Sequence, residues 1–444
     1  DHRDLHKEYR RQRQMCIRDR LRTVLNVLIN TMKNMKKINH KPILFILLTS
    51  IFFMSCSKDD DIEYITQTVT ETIIQKEIET VTVEVPGPTV TVYVEVPYSY
   101  EYARAGKSTV SFSGQTARLN MADELYAALN TNTFTKAQML EMFNDGTGFA
   151  DASLNTSGKK MGNKTAASPI ASATVKPQFD AMITDFADNV IPNWATDAAN
   201  GQAGVLTDAT RTIHVNAKGH EIDQTFIKGI IGAMTLDQII NNYITPYQLD
   251  SGTRTADNTN KVKADGKDYT VMEHKWDEGF GYLYGQEADV TRLDLGTSPT
   301  GNGTTLNKYF KKVNASSHPG MAVQVFNAFR RGRAYIVANQ YDRRDEEAEK
   351  IQLQLSKLIA QKAVDYLNGY MSKIADGNTA DAFHALSEGY GFIMSLQFTN
   401  DGTGTPYFSN SEVNAFLASM DNFWTVENST LESIRDEISS KFGI

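Results

Sequence analysis

The spacing of apolar side chains from residue 98 onward has the period of α-helices. Leu119, Ala122, Leu125 and Leu129, for example, fall on one face of a predicted helix. Polar and glycine-rich stretches separate the predicted helices, and strands do not alternate with them, so the sequence predicts an all-α fold of packed bundles. Further helices with this period are predicted at residues 175–191, 219–244 with a break near Thr235, 268–284, 321–341, 346–374, 379–398, 409–421 and 431–442.

Residues 62–97 have a different pattern, in which β-branched and charged residues alternate between prolines. The tetrapeptide Val-Glu-Val-Pro occurs at 83–86 and again at 94–97. Such a segment cannot bury a core by itself. Residues 56–97 are therefore interpreted as an acidic tag followed by an extended N-terminal stalk, and a strand-rich oligomerisation segment is the alternative.

The first 55 residues are interpreted as material that precedes the mature protein. Residues 14–20 resemble a translated sequencing adapter, so residues 1–31 are left out of the fold prediction. Met32 or Met35 can begin a basic segment that leads into an apolar run at 42–54. This run is shorter than the roughly 20 residues that span a membrane, so residues 32–55 are predicted to be a lipoprotein signal peptide.

Cys56 follows Phe53-Met54-Ser55, and together these residues resemble a lipobox, whose cysteine is the site of lipid attachment. The acidic residues at 59–61 resemble the export tag of Bacteroidota surface lipoproteins. We therefore expect a protein anchored in the outer membrane through Cys56 and facing the cell exterior. The alternatives are that Cys56 is a stray cysteine without a lipid and that residues 59–61 are only the acidic start of the linker.

The net charge of the predicted mature chain disfavours some classes of binding partner. Residues 1–55 contain 12 of the 45 basic and 4 of the 53 acidic residues, so the predicted mature chain carries 33 basic and 49 acidic residues, a net charge of −16. This charge disfavours nucleic acid and anionic bilayers as partners. Because Cys56 is the only cysteine after residue 55, disulfides and thiolate metal sites within the mature domain are excluded.

The most specific pattern is an internal repeat. Residues 274–283 align without gaps to residues 384–393, with the shared pattern His-x-x-x-Glu-Gly-aromatic-Gly-aromatic-aliphatic. A weaker match relates Gln224, Phe226 and Gly232 to positions 100 residues later. The repeat predicts duplicated helical halves, at about 98–304 and 305–444.

Each repeat places a histidine and a glutamate one helical turn apart. His274 and Glu278, like His384 and Glu388, share a helix face and can co-ligate a metal or bond to each other. Two such helices can together hold a cation, as carboxylates and histidines do in helical bundles. The alternative is that the histidine and the glutamate of each pair only bond to each other within the core.

The segment 273–286 resembles the functional helix of imelysin-like proteins, a family of iron-regulated surface proteins with a Gly-x-His-x-x-Glu motif. Met272 stands at the glycine position and Asp277 at the glutamate position, with Glu278 one residue later. Residues 109–119, together with the two repeat helices, also resemble an uncharacterised Bacteroidota lipoprotein family over residues 98–442. The imelysin resemblance implies two pseudo-symmetric helical bundles.

The resulting functional expectation is a surface lipoprotein that binds a metal ion or a metal-bearing ligand between two bundles, with a role in iron acquisition implied by the resemblance. A divalent or iron cation is the expected cofactor, and the predicted ligands are His274, Asp277, Glu278, His384 and Glu388. No catalytic residue is assigned, which favours a binding protein over an enzyme. The alternatives are a metal-dependent hydrolase on this scaffold and a structural or adhesive surface module without a small-ligand site.

A basic cluster, Arg330, Arg331 and Arg333, lies near the acidic residues at 342–347. Arginines next to acidic residues on a helix face are usually ion-paired at the surface. We therefore expect a surface cluster here, with an anion site as the alternative.

Overall fold

The computed structural model describes residues 76–83, 90–290 and 301–444. Most of these residues are helical, which confirms the predicted helical class. The predicted signal peptide, Cys56 and the acidic tag lie outside the described residues. In chain order the helices are α1 (Ser113–Ala128), α2 (Lys136–Asn144), α3 (Ala152–Asn155), α4 (Val175–Asp185), α5 (Ile222–Ile230), α6 (Pro246–Leu249), α7 (Arg254–Thr259), α8 (Val271–Tyr284), α9 (Leu306–Ala315), α10 (Met321–Val337), α11 (Tyr341–Ala375), α12 (Thr379–Ser395), α13 (Asn410–Ser419) and α14 (Asn428–Phe442).

The strands form short antiparallel hairpins. In the first hairpin, β1 (Lys76–Val83) pairs with β2 (Val90–Pro97), with Lys76 opposite Pro97. A smaller hairpin joins β3 (Ala103–Arg104) to β4 (Lys107–Ser108), and a third joins β5 (Gly204–Thr207) to β6 (Thr212–Val215).

The first hairpin changes the interpretation of the predicted stalk. Strand β2 packs against α10, and Val94 and Val96 are fully buried in the core. Arg331 on α10 also pairs with Glu79 of β1 at 2.7 Å. The extended stalk therefore does not reach residue 97, because alternating valines give β2 one apolar face that α10 covers.

The long helices α10, α11 and α12 pack side by side. Three-residue connections at 338–340 and 376–378 join them, so consecutive helices run antiparallel. The helix predicted at 321–341 ends at Val337, and Asn339 takes a positive φ of 58° in the turn that follows. The next helix consequently begins at Tyr341, five residues before its predicted start at 346.

Helix α5 continues beyond Ile230 through two π-helical segments, Ile231–Leu236 and Ile239–Tyr243. The expected break near Thr235 is therefore a widening of the helix, and the chain continues in the same direction. Helix α12 packs on the first part of this continuous helix, and α8 packs on its last part. Both repeat helices thus share α5 and its extension as a partner.

The buried apolar side chains form one cluster that includes residues from both predicted halves. The elements in it that were not predicted include helix α9, the short helices α3 and α6, and the β5–β6 hairpin. Strands of four residues give too short a pattern to recognise, and α9 follows a glycine-rich segment that was interpreted as loop. None of the helices in the described ranges combines the length and apolar character needed to cross a membrane.

Candidate functional site

Asp277, one of the five predicted cation ligands, lies in a buried ion network. Its Oδ1 accepts hydrogen bonds from the Tyr100 hydroxyl at 2.8 Å and from Arg333 Nε at 3.0 Å. Arg333 also lies 3.3 Å from Glu273, which pairs with Arg104 at 2.8 Å. Burial raises the pKa of Asp277 to about 6, although Arg333 and Tyr100 stabilise its ionised form. Asp277 therefore joins α8 to α10 and to the N-terminal segment.

His274 and Glu278 lie on the less buried face of α8, with His274 Nε2 3.9 Å from Glu278 Oε1. The Glu278 carboxylate binds Lys275 Nζ at 2.5 Å and accepts a hydrogen bond from Gln115 at 3.0 Å. Burial acts to raise the pKa of Glu278, but Lys275 and His274 outweigh it and lower the pKa. Burial lowers the pKa of His274, whose ring stacks on Tyr269. The first repeat thus neutralises its glutamate with a lysine of its own helix.

Glu388 in the second repeat is neutralised from a different element. Lys228 Nζ of α5 lies 3.1 Å from Glu388 Oε1, and the Tyr309 hydroxyl donates to the same oxygen at 3.1 Å. Burial acts to raise the pKa of Glu388, but Lys228 outweighs it and lowers the pKa to about 2. Ala385 stands where the first repeat has Lys275, so α12 carries no lysine of its own at this position.

His384 is held between two carboxylates. Its Nδ1 lies 2.6 Å from Glu221 Oε2, and its Nε2 lies 3.6 Å from Glu388 Oε2. The backbone N–H of Glu221 donates to the Ser387 hydroxyl at 2.9 Å. Ser387 occupies the position that Asp277 has in the first repeat, and it fixes the start of α5 against α12.

Glycines allow the repeat helices to approach their partners closely. A Cβ at Gly391 would lie 2.5 Å from the Cβ of Lys228, and one at Gly281 would lie 2.4 Å from the Cβ of Phe112. Gly332, matched to Gly232 in the repeat, packs in the same way on α8. The sequence therefore places glycine where another helix or side chain leaves no room for a Cβ.

A cavity of about 500 Å³ opens beside Glu388, between α5, α9, α11 and α12. Three acidic side chains, Asp365, Asp381 and Glu388, and twice as many basic ones line it. The cavity therefore carries an excess of positive charge, although the chain as a whole has a net charge of −8. The basic residues are Arg211, Lys228, Lys308, Lys312, Lys362 and Lys373.

Two of these cations have no counter-ion within the described ranges. Lys308 and Lys312, one turn apart on α9, form neither an ion pair nor a side-chain hydrogen bond there, and Lys312 Nζ lies 5.0 Å from the centre of the Tyr309 ring. Burial lowers the pKa of both ammonium groups, and neighbouring lysines lower it further, while the carboxylate of Glu388 acts in the opposite direction. The charges on this side of the cavity thus repel each other and favour an anion.

The five predicted metal ligands are not brought together as one set. Asp277 faces Arg333, Glu278 is held by Lys275, and Glu388 is held by Lys228. Across residues 76–83, 90–290 and 301–444, no group of three or more histidine, cysteine or acidic side chains is arranged to hold a metal ion. The cation site remains a prediction that the metal content of the purified protein would test.

Five residues that complete the second site were not predicted: Lys228, Glu221, Tyr309 and the two lysines of α9. One available signal was the position of Lys228, four residues after the repeat-matched Gln224 and hence on the same helix face. The lysines of α9 lay between a predicted loop and the helix predicted from residue 321, in a segment with no predicted element. No local pattern could place Lys308 and Lys312 beside Glu388, because they precede it by 80 and 76 residues in the chain.

The fold and the site together define a helical domain with a duplicated His-x-x-x-Glu helix and a basic cavity beside the second copy. A family model described as a domain of unknown function (DUF4856) matches residues 97–444. The chain therefore belongs to this family. No curated protein and no solved structure matches the chain.

Proposed function

We propose that this domain is a binding protein for a small anionic ligand, which occupies the cavity beside His384 and Glu388. The observation that carries the proposal is the charge of the lining, six basic side chains against three acidic ones. The cavity volume of about 500 Å³ lies in the range typical of small-molecule sites. A cleft that is lined mainly by side chains of one charge attracts a ligand of the opposite charge.

The pairing of the acidic side chains supports an anion more than a free cation. Lys228 lies 3.1 Å from Glu388, Lys362 lies 2.8 Å from Asp365, and Asp381 binds both Arg211 and Lys373. A metal ion would have to displace these cations before it could bind a carboxylate. An anion, in contrast, would relieve the repulsion among the remaining lysines without breaking an ion pair.

This proposal keeps the binding-protein class expected from the sequence and changes the chemistry of the ligand. An anionic chelate of a metal remains within it, so the proposal is compatible with a metal-bearing ligand. We also propose that the mature chain is a surface lipoprotein attached to the outer membrane through Cys56. That proposal rests on the basic segment, the apolar run at 42–54 and the cysteine that follows.

We likewise propose that the two repeats arose by duplication and that the upstream helix of each copy contacts the motif helix of the other. A Cβ at Gly332 would lie 2.1 Å from the Trp276 ring, and one at Gly232 would lie 2.3 Å from Ser395. The upstream helix that carries the matched glycine in each copy therefore contacts the motif helix of the other copy. This reciprocal packing supports pseudo-symmetric halves that form one structural unit.

The anion proposal is tested by ligand-dependent stabilisation of the full chain. A ligand that binds only the folded state raises the thermal midpoint. We expect at least one class among inorganic oxyanions, carboxylates, phosphate esters and anionic metal chelates to do so at constant ionic strength. Lys312→Glu should abolish the rise, because it reverses a charge in the lining.

Lys311→Glu is the matched control, since it makes the same charge change on the same helix at a residue outside the cavity lining. The control should respond to anions as the unchanged protein does. If no anion raises the midpoint, or if the rise survives in Lys312→Glu, the proposed function is wrong.

A further inference from the structure

We infer that the cavity selects small phosphate monoesters, an inference that rests on the anion-binding function proposed above. Its first support is the identity of the unpaired cations. Every acidic side chain in the lining already has a basic partner, which leaves Lys308 and Lys312 to meet a ligand. These lysines are four residues apart, so both reach the cavity from one face of α9.

The number of free cations favours phosphate over a single carboxylate group. The fork of arginine matches carboxylate and phosphate alike, whereas lysine binds phosphate as a compact point charge. Arg211, the guanidinium in the lining, is already bonded through Nε to Asp381 at 2.9 Å. Two free ammonium groups also match the two negative charges of a phosphate monoester near neutral pH.

The rest of the cavity has room for a small polar organic group. Ala385 and Gly369 leave a shallow wall, with 3.9 Å between the Ala385 Cβ and a Cβ placed on Gly369. Gln224 donates to the Tyr126 hydroxyl at 2.8 Å, and both side chains line the cavity. Gln224 also donates to Asp223 and accepts from Lys228. The Tyr126 hydroxyl is therefore the group of this pair that can donate to a ligand hydroxyl.

The first repeat carries a lysine at the position that Ala385 has in the second. There Lys275 extends from the motif helix and binds Glu278 at 2.5 Å. In the second repeat Lys228 of α5 takes over this role at Glu388, and Ala385 replaces the local lysine. Ala385 lines the cavity and has no side-chain atom beyond its Cβ, so it is the position at which the organic group has room.

The test is calorimetric titration of the full chain with glucose 6-phosphate, inorganic phosphate, malate and glucose. We expect glucose 6-phosphate to bind more tightly than inorganic phosphate, malate to bind at least tenfold more weakly than glucose 6-phosphate, and glucose not to bind. Lys308→Gln combined with Lys312→Gln should weaken phosphate binding at least tenfold, whereas Lys311→Gln should leave it unchanged.

Ala385→Lys tests the part of the cavity that is expected to hold the organic group of the ligand. A lysine here should occupy the space as Lys275 does in the first repeat, so the advantage of glucose 6-phosphate over inorganic phosphate should disappear. Thermal midpoints of all variants establish that they are folded.

Malate that binds as tightly as glucose 6-phosphate, or more tightly, would overturn the phosphate inference and leave the anion-binding function in place. If none of the phosphates or carboxylates binds, both fail.

Discussion

Arg333 is a fully buried cation whose partners come from separate parts of the chain. Its guanidinium binds Asp277 on α8 and donates to the Thr109 hydroxyl at 3.0 Å. It also lies 4.8 Å from the centre of the Tyr102 ring. The expected surface cluster of arginines is therefore wrong for Arg330 and Arg333, because α10 buries both side chains.

Replacing Arg333 with methionine should be strongly destabilising. The substitution leaves two buried carboxylates, Asp277 and Glu273, without their shared cation, a change that typically costs about 3–5 kcal/mol. Arg331→Met on the same helix removes a partly exposed pair with Glu79 and should cost about 0–1 kcal/mol. Urea denaturation at neutral pH measures both free energies of unfolding, and equal losses would contradict the buried network.

The depressed pKa of Glu388 predicts a pH dependence of stability. Its pKa in the folded protein is about 2, below the value of about 4.3 for an unfolded chain. The ionised form therefore stabilises the fold above pH 4.3, by about 3 kcal/mol, and this contribution is lost as the pH falls toward 2.

Glu388→Gln should remove this dependence, because glutamine cannot ionise. The difference in unfolding free energy between the unchanged protein and the variant should be greatest near pH 7 and should shrink at pH 3. Urea denaturation at several pH values measures the difference. A gap that stays constant between pH 7 and pH 3 would show that Glu388 is not a depressed carboxylate.

At the scale of secondary-structure elements, contact between α5 and α12 positions the second site. Gly391 allows α12 to approach α5 closely. A Cβ placed on Gly391 would lie 2.8 Å from both the backbone nitrogen of Gly229 and the backbone oxygen of Thr225. These are backbone atoms, which cannot rotate away. The ion pair between Lys228 and Glu388 depends on this short distance between the helices.

Gly391→Ala should therefore push the helices apart and destabilise the protein by about 1–3 kcal/mol, as overpacking does. Gly369→Ala is a control in a neighbouring helix, where the added Cβ meets nothing closer than 3.9 Å. Alanine has the higher helix propensity, so this control should gain up to about 1 kcal/mol. Thermal and urea denaturation measure both, and a neutral Gly391→Ala would refute the close approach.

At the scale of the whole molecule, the helical domain includes the N-terminal hairpin. Val94 is 1% exposed against the core, whereas its neighbour Tyr93 is 70% exposed. Val94→Ala should therefore lower the free energy of unfolding by about 1–3 kcal/mol, and Tyr93→Ala should have little effect. Equal effects of the two variants in urea denaturation would indicate that β2 does not pack on the domain.

Attachment to the membrane is predicted at Cys56, which lies outside the described residues. Cys56→Ala removes the thiol that would carry the lipid, so the variant should stay unprocessed or leave the membrane fraction. Metabolic labelling with a fatty acid and membrane fractionation measure the two effects. A variant that partitions with the outer membrane as the unchanged protein does would exclude lipid attachment at this cysteine.

The sequence by itself determined the helical class, the position of most helices and the repeated motif. These features follow from local periodicity, since apolar residues three or four apart define a helix face wherever that face packs. The helix around His274 and the helix around His384 were both predicted, and α8 and α12 contain them. The pairing of each histidine with the glutamate one turn later was predictable for the same reason.

Only the tertiary structure decided which charges meet. Lys228 and Glu388 are 160 residues apart, and Arg333 and Asp277 are 56 apart, so no local pattern relates them. The basic cavity has the same origin, because it arises where α5, α9, α11 and α12 come together and Ala385 leaves space. Burial then selects the pairs, since a charge removed from water is stable only beside an opposite one.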